Sequence, residues 1–306
     1  MRVLIVGCGY VGLPLGAELA RRGHAVFGLR RSALAEAEMQ AAGITPLHAD
    51  ITQPDSLKKL PRDFDWVVNC TASGGGGADD YQKIYLEGNR NLVAWLADSP
   101  PKKFVYTSST SVYAQNDGSV VAEESPVEPE APTAKVLVET EKLLLDVAHG
   151  SRGRLPHQPR FPAVILRVAG IYGPGRGHFF KQFLRGEARI EGDGSRWLNM
   201  IHRDDLIGFI IAALERGTPG EIYNAADNEP ATQLEFLTWL AAELKRPLPP
   251  RVVADTEVWR KRGVTNKRVS NAKLRAELKY EFQFPDFRAG YAAEIARLAA
   301  EGFLPV

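Results

Sequence analysis

Apolar positions along the chain fall into two rhythms. Short, nearly continuous apolar runs, rich in β-branched residues, occupy 2–6, 25–29, 45–49, 66–71, 103–108 and 163–168. A strand covered on both faces needs no polar side, so these runs read as buried strands. Between them, over 13–22, 33–42, 83–97 and 136–147, apolar residues recur at helical spacing. That spacing gathers them on one face of a helix. Buried strands alternating with amphipathic helices predict a parallel sheet covered on both sides, the doubly wound α/β plan, with ligands beyond the carboxyl ends of the strands.

Past about residue 173 the rhythm changes. Glycine- and proline-rich turns separate shorter helical patterns over 204–215, 233–244, 271–278 and 287–300, with isolated strands such as 221–225. The expectation is a first domain over 1–172 and a smaller mixed α/β lobe mainly over 173–306, the segments near 200–228 being left open to rejoin the first domain. Two stretches, 114–133 and 149–162, read as exposed loops.

Composition narrows the classes. A chain of 306 residues with 44% hydrophobic and 25% charged residues can bury a large core and is not a disordered composition. A formal net charge of +1 offers no general field for a nucleic acid or a membrane surface, and the apolar runs are too short for a bilayer span. Neither partner is expected. Two cysteines, Cys8 and Cys70, sit among apolar residues, which argues against a disulfide framework or a metal site. With no cleavage site after the first apolar run, a cytoplasmic location is expected.

The first strand runs directly into Gly7-Cys8-Gly9-Tyr10-Val11-Gly12, a G-x-G-x-x-G turn that opens a helical pattern. In such a turn one glycine makes the bend, the second lets a diphosphate approach the backbone, and the third allows close helix–strand packing. The helix N-terminus then offers N–H groups and partial positive charge to phosphate. Gly7, Gly9, Tyr10, Val11 and Gly12 are therefore the cofactor cradle of a Rossmann-type domain. The second strand ends Gly28-Leu29-Arg30-Arg31-Ser32, with no acidic residue to bond a ribose 2′-hydroxyl. Arg30 and Arg31 suit a 2′-phosphate, so NADP(H) is expected in preference to NAD(H). Asp50, after the third strand, is placed either to accept from the adenine amine or to cap a turn.

Several further segments join this motif. They are Asp50-Ile51, Val67-Val68-Asn69-Cys70-Thr71-Ala72, Phe104 through Tyr113, Leu166 through Gly175, Ile201 through Leu206, and Tyr223 through Asp227. In this order and at these separations the chain resembles the extended short-chain dehydrogenase/reductase superfamily, the sugar-nucleotide epimerase/dehydratase group, over nearly its whole length. The resemblance implies a Rossmann domain with a smaller C-terminal substrate lobe. It places Ile51, Thr71, Ala72, Thr107 and Val168 against the cofactor, and Ser73, Ser108 and Thr110 near the substrate. Ser109 takes the position of the hydroxyl that bonds the substrate oxygen. Arg196 resembles an arginine that many relatives direct at a nucleotide-sugar diphosphate, and Arg176 lines the same expected cleft, which implies an anionic small-molecule substrate. Relatives often dimerise through the two helices corresponding to 83–97 and 136–147, which implies a homodimer.

One element departs from the pattern. The family reaction uses a Tyr-x-x-x-Lys pair one helical turn apart, the lysine lowering the tyrosine pKa. The corresponding helix begins Pro132-Thr133-Ala134-Lys135-Val136-Leu137. Matching Lys135 to the family lysine puts Ala131 at the tyrosine position; matching Glu141 to the family's acidic residue before a Leu pair puts Thr133 and Leu137 at the two positions. Neither register supplies a phenol. This departure resembles the atypical branch of the superfamily, which keeps the fold and cofactor site and loses part of the catalytic set. Lys135 remains a candidate for the nicotinamide ribose. Tyr85, beside the glycine-rich run 74–77, is the substitute phenol, with Tyr81, Tyr113, Tyr172 and His202 as further candidates. The leading expectation is an NADP(H)-dependent epimerase, dehydratase or reductase acting on an alcohol or ketone, a nucleotide-linked sugar among them. The alternative is a catalytically impaired NADP(H)-binding sensor or regulatory protein.

Overall fold

The computed structural model describes residues 1–150, 160–253 and 265–304. Seven strands, all parallel, form the central sheet: β1 (Arg2–Val6), β2 (Ala25–Arg30), β3 (Ile44–His48), β4 (Trp66–Asn69), β5 (Lys103–Ser109), β6 (Ala163–Val168) and β7 (Ile222–Ala225). Their spatial order is β7-β6-β5-β4-β1-β2-β3. Strand order reverses at β1, and the crevice beside β1 and β4 is where an open α/β sheet takes a ligand.

The expected strands therefore form, and β1 and β6 have the predicted bounds. The helices α1 (Gly12–Arg21), α2 (Gly88–Leu96), α3 (Pro132–His149) and α4 (Arg203–Arg216) cover the sheet, and α3 begins with proline at its first turn and closes on Gly150 at φ 76°. Two expected helices are built differently. The 33–42 segment starts as a tight 3-10 turn, Ala33–Ala35, because the Ser32 hydroxyl accepts the Leu34 N–H at 3.2 Å, and only Glu36–Ala41 is α-helical. The 83–97 segment begins earlier, at Ala78, and passes through a π-helical turn, Gln82–Glu87, before α2.

The strand expected at 221–225, in a stretch left open between the two lobes, is β7, on the sheet edge beside β6, in the register Ile222↔Ile165 to Ala225↔Val168. The α4 helix packs on the same sheet, over β5 and β6, and its buried Phe209, Ile210, Ala213 and Leu214 belong to the sheet's core. An apolar run announces a strand but not the sheet it joins. The expected 114–133 loop also contributes Val120–Val121, paired in parallel with Arg268–Val269.

A second core gathers Phe180, Phe183, Leu198 and Met200 with Phe236 and Leu237 of α5 (Gln233–Glu243) and Phe287 and Tyr291 of α6 (Phe287–Ala300). Within it Tyr172 stacks on Tyr291, ring centres 4.4 Å apart. No helix among the described residues is long and apolar enough to cross a membrane.

Candidate functional site

The glycine turn between β1 and α1 is crowded on two sides and open on the third. Gly7 has φ 95°, and a Cβ there would stand 2.9 Å from the Thr71 nitrogen. A Cβ on Gly12 would stand 2.3 Å from the Gly7 carbonyl oxygen. A Cβ on Gly9 would meet nothing within 4 Å. The chain's own packing thus demands two of the glycines, and the middle one keeps open space. No side chain caps the first turn of α1 and no acidic residue lies in it. A diphosphate fits this cradle: bare backbone, an uncapped helix start and no competing carboxylate.

A cavity of about 1000 Å³ runs from this turn along the carboxyl ends of the strands into the second lobe. It brings together Gly7, Gly9, Tyr10, Val11, Arg30, Arg31, Asp50, Ile51, Thr71, Ala72, Thr107 and Val168 of the expected cofactor set. Gly12 lies behind the wall, against Gly7 and the Cys70 sulfur. Arg30 and Arg31 stand where β2 ends, with no carboxylate of that strand end beside them. Asp50 lines the cavity, but its carboxylate already accepts the Thr52 N–H at 2.9 Å and the Thr52 hydroxyl at 2.8 Å, so it is a turn aspartate.

Ser108, Ser109, Thr110, Arg176 and Arg196 of the expected substrate and catalytic set also line the cavity, as does Tyr85. Ser108 and Ser109 sit at the end of β5, facing different partners. Ser108 is drawn under the sheet, its hydroxyl donating to Glu141 at 2.6 Å. Ser109 caps the short turn Thr110–Val112, accepting the Ser111 N–H at 3.2 Å. The Arg176 guanidinium lies 5.0 Å from the Tyr10 ring centre, with Arg203 on the same ring at 5.3 Å.

Two expected residues besides Gly12 are not on the wall. Lys135 stands on the exposed side of α3, and Leu137 is the helix's residue facing the cavity. One further turn along, Glu141 bonds Ser108. The register that pairs Thr133 with Leu137 is therefore the one turned inward, and Lys135 is displaced from the ribose position by the helical phase. Ser73 is off the wall too; its N–H donates to the Tyr85 hydroxyl at 3.1 Å.

The other phenols and the histidine are committed to packing. Tyr113 is fully buried away from the cavity, donates to Asn224 at 2.8 Å and accepts from Arg167 at 2.9 Å, and burial pushes its phenol up to about 12. Tyr172 donates to the Asp286 carbonyl at 3.2 Å, and burial raises it further. Tyr81 is buried against Tyr85, ring centres 4.7 Å apart. His202 accepts the Asp204 N–H at 3.2 Å as the cap of α4, and burial lowers its pKa.

The structure gives roles to residues to which the sequence reading assigns none. Asn69, at the end of β4, donates to Asn89 at 3.0 Å, and its side-chain oxygen Oδ1 accepts both the N–H and the hydroxyl of Thr71. Asn89 in turn donates to the Tyr85 carbonyl at 2.7 Å, which ties the π-helical turn to the strand end. Lys267 is buried on the cavity wall. Its Nζ donates to the Tyr113 carbonyl at 2.9 Å and to Thr265 Oγ1 at 2.7 Å, and burial lowers its pKa to about 8. A lysine in a polar stretch, Thr265-Asn266-Lys267-Arg268, gives no sign in the sequence that it turns inward.

Fold and cradle together define a Rossmann protein shaped for a dinucleotide, with a second lobe closing over the strand ends. The chain belongs to the NAD dependent epimerase/dehydratase family, whose model matches residues 3–226. Protein YeeZ of Escherichia coli K12 is 30% identical over 294 residues, covering 93% of this chain and 97% of that protein. A 4-hydroxy-2-methyl-3-oxo-4-farnesyl-3,4-dihydroquinoline-1-oxide ketoreductase of Stigmatella aurantiaca is 28% identical over 250 residues, 78% of this chain and 72% of that one. The structure of DesIV, a dTDP-glucose 4,6-dehydratase of Streptomyces venezuelae with NAD and TYD bound, matches at a TM-score of 0.80 and 23% identity, over 100% of this chain and 99% of that one. That likeness shows the common fold.

Proposed function

We propose that the protein is an NADP(H)-dependent oxidoreductase that interconverts a small ketone and its alcohol. The observation that carries this reading is the end of β2, where Arg30 and Arg31 line the cavity and no acid is present to take a ribose 2′-hydroxyl. Two guanidiniums favour a 2′-phosphate by charge and by paired N–H donors. Gly7, Gly9 and the start of α1 hold the diphosphate, and Ser109 holds the substrate oxygen. The bound cofactor supplies hydride chemistry at its nicotinamide. Ketone reduction is favoured over sugar-nucleotide chemistry by the reductases among the relatives, including a 2-alkyl-3-oxoalkanoate reductase of Shewanella oneidensis at 27% identity over 249 residues. Arg176 and Arg196 suit a substrate with an anionic group. The two helical segments Ala78–Leu96 and Pro132–His149 remain the dimer surface that the family resemblance implies.

The test is fluorescence titration with NADPH and NADH, followed by NADPH consumption at 340 nm with a panel of 3-oxo esters and acids. Tight NADPH binding with turnover of at least one ketone is expected. Failure to bind either nucleotide overturns the reading. Binding without turnover of any carbonyl compound or sugar nucleotide favours a sensor of cofactor state instead.

A further inference from the structure

Reduction of a carbonyl needs a proton donor at the oxygen as well as a hydride at the carbon. The helix α3, where the family resemblance places a phenol and an ammonium, turns Leu137 to the cavity. An ammonium reaches the same cavity from beside the strand Arg268–Val269, which pairs with Val120–Val121. Lys267 is 4% exposed and lies just before the Arg268–Val269 strand. Asn199 clamps the backbone on both sides of it: its amide donates to the Lys267 carbonyl at 2.9 Å, and its oxygen accepts the Val269 N–H at 2.7 Å. The Nζ is aimed by its bond to the carbonyl of Tyr113, the residue that closes the turn Ser109 opens, the Tyr113 N–H returning to the Thr110 carbonyl at 3.3 Å. Lysine ammonium and Ser109 hydroxyl are thus anchored at the two ends of one short turn, and both residues line the cavity.

An ammonium carries three donors, and among the described residues two are used, by Tyr113 and Thr265, which leaves one for a ligand. Among the described residues no carboxylate pairs with it. The charged groups on the elements around it are Arg167, Glu141 and Glu123 behind Tyr113, Arg268 on its own strand, and Arg196 and Glu191 in the second lobe; none hydrogen-bonds its nitrogen. Burial alone brings the lysine to about 8, a range suited to proton transfer near neutrality.

We propose that Lys267 is the catalytic acid of this site, giving a proton to the carbonyl oxygen held by Ser109 during reduction and taking it back during alcohol oxidation. The inference rests on the oxidoreductase reading above. The new C–H bond takes the hydride electron pair from the reduced nicotinamide dinucleotide. The C–O π pair moves to oxygen, one N–H bond of Lys267 breaks, and an O–H bond forms. The neutral amine left behind regains its proton from water.

Two measurements decide it. Competitive acetylation of the full chain across pH 6–11, read at Lys267 by mass spectrometry, reports its ionisation without any substrate. Half-maximal reactivity near pH 8 is expected; reactivity that rises only near the ordinary lysine value overturns the proposal, whether or not a ketone has been found. The second compares Lys267→Met and Lys267→Arg in NADPH-linked ketone reduction. Both should lose about a hundredfold or more in kcat while NADPH affinity stays within about threefold of wild type. The alkaline limb near pH 8 in the wild-type profile should disappear from whatever rate remains. Arginine keeps the charge and the bond to Tyr113 but not the labile proton, so a Lys267→Arg variant with near-normal kcat means an anchor rather than an acid. Full kcat in Lys267→Met, with loss in Tyr85→Phe, transfers the role to Tyr85. Failure of the wild type to bind NADPH sinks the oxidoreductase reading and is separate from these outcomes.

Discussion

Ser108 donates its hydroxyl to the Glu141 carboxylate at 2.6 Å, beneath the floor of the cavity. The same carboxylate takes Arg167 at 2.8 Å, with the two side chains 3% and 4% exposed, and Arg167 passes the bond on to Tyr113. The network joins β5, β6 and α3 under the residues that form the cavity wall. A buried charge left without its partner is expensive, typically about 3–5 kcal/mol. Arg167→Met, which strands Glu141, should lower unfolding stability by that order in urea denaturation. The double change Arg167→Met with Glu141→Leu should recover most of it. A single variant as stable as wild type would show that the pair is not held as a dry ion pair.

The glycine turn separates packing from ligand space at neighbouring positions. Gly12→Ala drives a methyl against the Gly7 carbonyl and should destabilise the fold. Gly9→Ala meets no atom within 4 Å and should leave the unfolding stability of the ligand-free protein nearly unchanged, within about 0.5 kcal/mol. It should nonetheless weaken NADPH about tenfold or more, because the methyl enters the space the diphosphate requires. Equal NADPH affinity in Gly9→Ala would move the diphosphate away from this turn.

Arg30 and Arg31 bear on which dinucleotide is held. A charge-assisted hydrogen bond is worth about 1.5–3 kcal/mol, so Arg30→Ala should weaken NADPH about tenfold or more and NADH much less. Paired fluorescence titrations measure the ratio. Equal losses for the two nucleotides would mean that the guanidiniums do not contact a 2′-phosphate.

Lys267 also makes stability depend on pH in a direction that can be worked out. Its pKa falls from 10.5 in the unfolded chain to about 8 when buried. Between these values the unfolded chain binds more protons, so this residue's contribution to stability rises as pH rises. Below about pH 8 the folded protein carries the full cost of a buried ammonium. Relative to Lys267→Met, wild type should gain up to about 3 kcal/mol between pH 8 and pH 10.5. Urea midpoints of the two proteins at several pH values check this; a constant difference would mean that the ammonium is solvated.

Much of the architecture is written in local patterns. The runs that become β1, β4, β5 and β6 are buried on both faces and so show up as apolar stretches, while amphipathic spacing marks α1, α3 and α6. The π-helical turn was not visible, because Asn89 reaching back to Tyr85 is a contact of the folded helix, and composition does not encode it. The 3-10 start at Ala33 turns on one hydroxyl, that of Ser32, which a helical pattern passes over.

For the chain as a whole, short-range order carried the glycine cradle, the basic end of β2 and Ser109 at the end of β5. These depend on residues adjacent in sequence and on bonds made within one βα unit. Folding settled what depends on distant segments: that Leu137 and not Lys135 faces the cavity, that 222–225 joins the main sheet, and that Lys267 arrives beside the Ser109 turn. Helical phase, sheet partner and burial of a charge are set by packing between parts of the chain far apart in sequence, and a linear pattern has no term for that.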